Sequence, residues 1–171
     1  MADLFYAGQE LTAAVLNAAF PLVAYADDDT STISSTAFLD AEGLVLALEA
    51  GAEYAIDAWI SYDSNATTDL KVQLLVPAGA SGTWGLFGLA TTSTGSVGTV
   101  QATRAAVGTG NVLTAGGSNS FTGQMNALLR GYVETDTTAG DLQVQFAQNT
   151  SADSLTSIIA GSWIRAQKRT V

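Results

Sequence analysis

The chain has no cysteine and no histidine. Without cysteine there is no disulfide to staple it, so its core must hold the fold. Without histidine it lacks the commonest general base and the commonest transition-metal ligand. Together the two absences exclude thiolate and imidazole zinc sites, iron–sulfur clusters and thiol chemistry. Proline is scarce, with only Pro21 and Pro77. Charge is scarce too: charged residues make up 13%, with six Lys and Arg against sixteen Asp and Glu, for a formal net charge of −10. Such a balance opposes binding to a nucleic-acid backbone, which needs clustered cations. It also opposes docking on anionic lipid. The apolar stretch from Leu11 to Ala26 is broken by Asn17 and Pro21, so no membrane insertion is expected. Asp3 stands where a secretory signal would be basic, so no signal peptide is expected.

What remains is β-forming. Hydrophobic residues make up 47% of 171, with abundant Thr, Ser and Gly. That length suits one domain with a real core. Alternation places the strands. Leu142, Val144 and Phe146 fall on one face, with Gln143, Gln145 and Ala147 on the other. Leu129, Gly131 and Val133 lie opposite Leu128, Arg130, Tyr132 and Glu134. The turn formers Asp136 to Gly140 lie between these arms, and the pattern predicts an antiparallel hairpin at the centre of a β-sandwich. Further strands are predicted at Leu22 to Ala26, Leu44 to Leu48, Tyr54 to Tyr62, Leu70 to Val76 and Trp84 to Leu89. In the strand from Leu70 to Val76, Lys71 and Gln73 should face water. Two short strands are expected near Thr99 to Arg104 and Val112 to Thr114, and one long final strand from Leu155 to Ala166. The expected fold is an all-β, jelly-roll-like antiparallel sandwich with a short N-terminal helix. Residues 1–21 form an arm and docking segment, and residues 22–171 a single sandwich domain.

Thr12 is a good N-cap, and Pro21 stops the run after it. The predicted helix of about two turns is too short to stand alone. Leu11, Val15, Leu16 and Phe20 could seat it either on the open end of the sandwich or on another subunit. Asp27, Asp28 and Asp29 are adjacent, whereas calcium loops space their ligands, so a solvated turn is expected and no metal. No phosphate loop and no Gly-x-Ser-x-Gly motif is present. Paired carboxylates for glycan cleavage would leave no sequence signature. The expectation is a protein without catalytic residues or cofactor.

Twelve acids and no Lys or Arg lie in residues 1–70, while Arg165, Lys168 and Arg169 cluster at the C-terminus. Arg165 is therefore expected to pair with an acid of the first seventy residues, in its own or a neighbouring chain. Trp59, on the polar face of its strand, and Trp163, beside the basic cluster, are candidate subunit contacts together with Arg165.

Several stretches resemble a known group. Ala7-Gly-Gln-Glu-Leu-Thr-Ala-Ala-Val-Leu-Asn17 is similar to the N-terminus of small tail and head-surface proteins of actinobacterial bacteriophages. Pro77-Ala-Gly-Ala-Ser-Gly-Thr-Trp-Gly85, Leu129-Arg-Gly131, Thr138-Ala-Gly-Asp-Leu-Gln-Val-Gln145, Ala147-Gln-Asn-Thr-Ser151 and Ala160-Gly-Ser-Trp-Ile-Arg165 resemble their β-rich body. The resemblance implies a virion structural protein on the particle surface, made in the host cytoplasm. It implies a symmetric homo-oligomer, commonly a trimer, that contacts other virion proteins as a minor tail or capsid decoration protein. A receptor- or carbohydrate-binding module touching a host-surface glycan is the alternative.

Overall fold

The computed structural model describes residues 8, 10, 12, 19–93, 99–119 and 125–169. The helix predicted after Thr12, with Leu11, Val15 and Leu16, lies outside the described residues. Among the described residues the chain forms β1 (Leu22–Tyr25), β2 (Thr30–Ile33), β3 (Leu39–Leu48), β4 (Glu53–Ser64), β5 (Leu70–Leu75) and β6 (Ser81–Leu89). It continues with β7 (Val100–Ala106), β8 (Leu113–Ala115), β9 (Met125–Glu134), β10 (Gly140–Gln148), β11 (Leu155–Ile158) and β12 (Trp163–Lys168). All pairings are antiparallel. The large sheet runs β1-β12-β4-β9-β6-β7, with β11 and β2 attached through β4. The small sheet runs β3-β10-β5-β8. The result is the expected jelly-roll-like antiparallel sandwich.

Each strand gives the core one face, as its period of two requires. β4 buries Tyr54, Ile56, Ala58, Ile60 and Tyr62. β10 buries Leu142, Val144 and Phe146 from the other side. Trp84, Tyr54, Tyr62 and Phe146 are the largest fully buried side chains. The polar atom on each of the first three is satisfied, as burial demands. Trp84 Nε1 donates to the Ala106 carbonyl at 3.0 Å, and Tyr62 Oη to that of Gly116 at 2.8 Å. Tyr54 Oη accepts from the Glu49 amide at 3.0 Å. Trp84 is paired with Gly131. A Cβ at Gly131 would lie 2.4 Å from the Thr83 carbonyl oxygen and 2.8 Å from Trp84 Cβ, so only glycine fits there.

The predicted central hairpin is not formed. Its two arms are strands, β9 and β10, but they belong to different sheets. β9 lies between β4 and β6, and β10 between β3 and β5. The link between them is an arch that crosses the core. Alternation shows which face of a strand is dry, but not which strand lies beside it. Thr135 fixes the crossing. Its amide donates to the Ala52 carbonyl at 2.9 Å. Its hydroxyl accepts from the Ala52 amide at 2.9 Å and donates to the Glu49 carbonyl at 2.6 Å. Glu49 to Ala52 is itself the crossing from β3 to β4, so the two arches are bolted together.

Two smaller expectations also fail. The long final strand is two strands, β11 and β12, separated by a turn at residues 159–162. Gly161 takes φ +85° there. The Ser162 hydroxyl donates to the Ile159 carbonyl at 2.8 Å and accepts the Ser61 amide at 3.0 Å. Gln73 does not face water. It is buried beneath the loop after β7, where its Oε1 accepts the Gly110 amide at 3.0 Å. Its Nε2 donates to Gln145 Oε1 at 2.6 Å, and Gln145 Nε2 donates to Asp40 Oδ1 at 2.6 Å. A polar ladder thus crosses the outer face of the small sheet.

Thr135→Val keeps the shape and removes the hydroxyl from the arch. It should cost about 1–3 kcal/mol in chemical denaturation, the weight of buried backbone groups left without partners. A loss below about 0.5 kcal/mol, within the range of a neutral surface change, would mean that the hydroxyl does not pin the crossing. Asp69 gives a pH test. Burial raises its pKa, against the opposing effect of the Gly117 amide that donates to its Oδ1 at 2.8 Å. The folded state therefore binds this proton more tightly than the unfolded state. The group's contribution is most favourable below the ordinary carboxyl pKa and is lost as pH rises through the folded value. Asn keeps the acceptor and tolerates the left-handed φ of +49°. Asp69→Asn should melt at or above the wild type at pH 7, with the gap closing in acid.

Candidate functional site

The outer face of the large sheet is organised in rows, because residues in register across neighbouring strands share a face. One row is Tyr25–Trp163–Trp59–Leu128–Phe87–Ala102, running from β1 through β12, β4, β9 and β6 to β7. Tyr25 is 57% exposed, Trp59 38%, Leu128 41% and Phe87 42%, and Trp163 is half-buried. From Tyr25 to Phe87 there are four strand spacings, about 19 Å of continuous apolar surface. Trp59 is steadied from below: its Nε1 donates to Ser61 Oγ at 3.1 Å, and Ser61 Oγ donates to Asn126 Oδ1 at 2.9 Å.

The next row is charged: Val23–Arg165–Asp57–Arg130–Gly85–Arg104. Asp57 is shared. Arg165 Nη2 reaches its Oδ2 at 3.0 Å and Arg130 Nε its Oδ1 at 2.9 Å. The Arg165 guanidinium also lies 5.8 Å from the centre of the Trp163 ring, which ties the two rows together. Arg104 has no ion-pair partner among the described residues. Three of the chain's six cations therefore stand in one row with a single acid, on a molecule of net charge −10. Gly85 interrupts the row. With no side chain there, Thr83, Phe87, Arg104, Arg130 and Tyr132 surround a shallow hollow of about 330 Å³.

The predicted contact residues Trp59, Trp163 and Arg165 thus come together on one face, with the two tryptophans paired in register. Arg165 meets Asp57, an acid of the first seventy residues in its own chain. Lys168 Nζ meets Glu49 Oε2 at 2.7 Å and Arg169 pairs with Glu53. The bond to Glu49 also raises the Lys168 pKa. Tyr25, Leu128, Phe87, Arg104 and Gly85 were not singled out in the sequence. Leu128 and Tyr132 carried a signal, being large apolar residues on the wet phase of their strand. The other members come from separate stretches that only strand pairing aligns. Among the described residues no group of Asp or Glu is arranged to hold a metal ion. Asp29 instead accepts the Ala160 amide on Oδ1 at 2.8 Å.

No family model matches the chain, and no curated protein matches it. Among solved structures it is similar to one of infectious bursal disease virus, Gt strain, at 13% identity and a TM-score of 0.27. That alignment covers 88% of this chain and 42% of the other. It is also similar to the VP2 subviral particle of infectious bursal disease virus, at 10% identity and a TM-score of 0.24, over 88% and 41%. The chain therefore spans less than half the length of either, and likeness at these scores assigns it no function.

Proposed function

We propose that the protein is a non-enzymatic structural component of a bacteriophage virion. It stands on the particle surface as a minor tail or capsid decoration protein, docked through its N-terminal segment. It assembles as a symmetric oligomer, with a trimer the favoured state, through the outer face of its large sheet. The resemblance of the Gly8 to Asn17 and Ala160 to Arg165 stretches to phage tail and head-surface proteins supports the class. The row Tyr25–Trp163–Trp59–Leu128–Phe87 carries the assembly reading. Monomeric soluble proteins rarely expose so long an apolar stripe, and aromatic residues are enriched where proteins meet.

The in-register Trp163–Trp59 pair also favours a second reading, in which the same flat face stacks against a host-surface glycan. The readings differ in what covers the tryptophans. Analytical ultracentrifugation of the wild type at micromolar concentration should show an oligomer. Trp59→Gln combined with Leu128→Gln should shift it towards monomer while far-ultraviolet circular dichroism stays β. A wild-type monomer that binds a glycan array through Trp59 would overturn self-assembly in favour of the second reading.

A further inference from the structure

Gly85 is the one position of the charged row without a side chain, and it stands at the middle of β6. Its backbone is ordinary strand, so no turn or positive φ requires glycine there. A Cβ at Gly85 would meet the Thr103 carbonyl oxygen at 3.1 Å and the Phe87 ring at 3.7 Å, so a side chain would be tight and would fill the hollow. Glycine inside a strand weakens it and often marks a place where a ligand or another backbone comes close. Register sets Arg130 of β9 on one side and Arg104 of β7 on the other, two strand spacings or about 10 Å apart. Phe87 bounds the hollow at one end, and Thr83 with its in-register neighbour Tyr132 at the other. Phe87 is 42% exposed and Tyr132 44%, so both rings are open to a ligand. No Asp or Glu lines the hollow, and Asp57, the row's one acid, lies beyond Arg130.

We propose that this hollow binds one acidic sugar, with its ring against Phe87 and Tyr132 and its carboxylate held by Arg104 and Arg130. The inference rests on the glycan reading of this face and names the class of sugar. Each part of the hollow answers to a part of such a ligand. The apolar C–H face of a sugar ring packs on exposed aromatic rings. A guanidinium meets a carboxylate through two parallel N–H···O bonds, so arginine suits this group better than lysine. Arg104 has no ion-pair partner among the described residues, so it gives up none to take the ligand. Arg130 is anchored by Asp57 at 2.9 Å, which steadies its side chain while leaving it 72% exposed. A volume of about 330 Å³ is at the low end for a small-molecule site and suits a single ring. Phe87 also belongs to the apolar row, so neighbouring sugars of a longer glycan can continue over Leu128 and Trp59. The net charge of −10 opposes an anion at long range, and the two arginines supply the local attraction.

An array of oligosaccharides containing uronic acids, printed beside their methyl esters and beside neutral hexose oligosaccharides, tests this. Binding of the wild type should be strongest to the free acids. In titration with the best of these, Arg104→Gln should bring the acid down to the level of its ester, a loss of about tenfold or more, the weight of a charge-assisted hydrogen bond. Phe87→Ala should weaken binding of the acid as well. Both residues are exposed, and unchanged circular dichroism and melting separate lost binding from misfolding. Equal binding of acid and ester, or an Arg104→Gln variant that still prefers the acid, would overturn this site. Sugar binding that ignores the carboxylate but is lost in Trp59→Gln would overturn it too and leave the glycan reading standing. An array on which no sugar binds would overturn both.

Discussion

A sandwich has one core and can bury only one face of each sheet. That constraint orders everything else in this molecule. β4 and β10 send Tyr54, Ile60, Leu142 and Phe146 inward, where they are buried. The outward phase should then be polar, and on the small sheet Asp40, Gln145 and Gln73 follow this by bonding across three strands. On the large sheet the outward phase is polar only in part, in the charged row of Arg165, Asp57, Arg130 and Arg104. Tyr25, Trp163, Trp59, Leu128 and Phe87 occupy the row beside it, and the core that would normally take them is already full.

The phase of most strands was legible in the sequence, because a dry face writes itself as alternation over five or more residues. Tyr54 to Tyr62 and Leu142 to Phe146 are such cases. Pairing was not legible. The stretch from Met125 to Gln148 reads as two strands and a short polar turn whether the turn closes a hairpin or crosses to the other sheet. The deciding feature is Thr135, whose partners Glu49 and Ala52 lie more than eighty residues earlier. Gln73 misled for a related reason. It is polar on an outward phase, but the loop after β7 folds over it and supplies the Gly110 amide.

The candidate surface was legible only in part. Trp59 and Trp163 stood out as bulky aromatics beside polar or charged neighbours, and the structure sets them side by side. The charged row is assembled from separate strands, and nothing in the local sequence of Arg104 or Gly85 marks either one. The charge split along the chain, acids early and bases late, is resolved mostly within the chain. Arg165 joins Asp57, Lys168 joins Glu49 and Arg169 joins Glu53. These pairs lie at the surface, where each is worth about 1 kcal/mol or less. They lock β12 to its neighbours in charge as well as in hydrogen bonds, and among the described residues they leave Arg104 as the row's unmatched cation.

The three tryptophans report separately on the core and on the outer face. Trp84 is buried in the sandwich, whereas Trp59 and Trp163 stand on the face assigned to assembly. Hydroxyl-radical footprinting of dissociated chains and of the assembled particle measures all three in one experiment. Trp84 should stay unreactive in both states, while Trp59 and Trp163 should react in the dissociated chain and become protected on assembly. Equal reactivity of Trp59 and Trp163 before and after assembly would contradict the assignment of this face as the contact between copies.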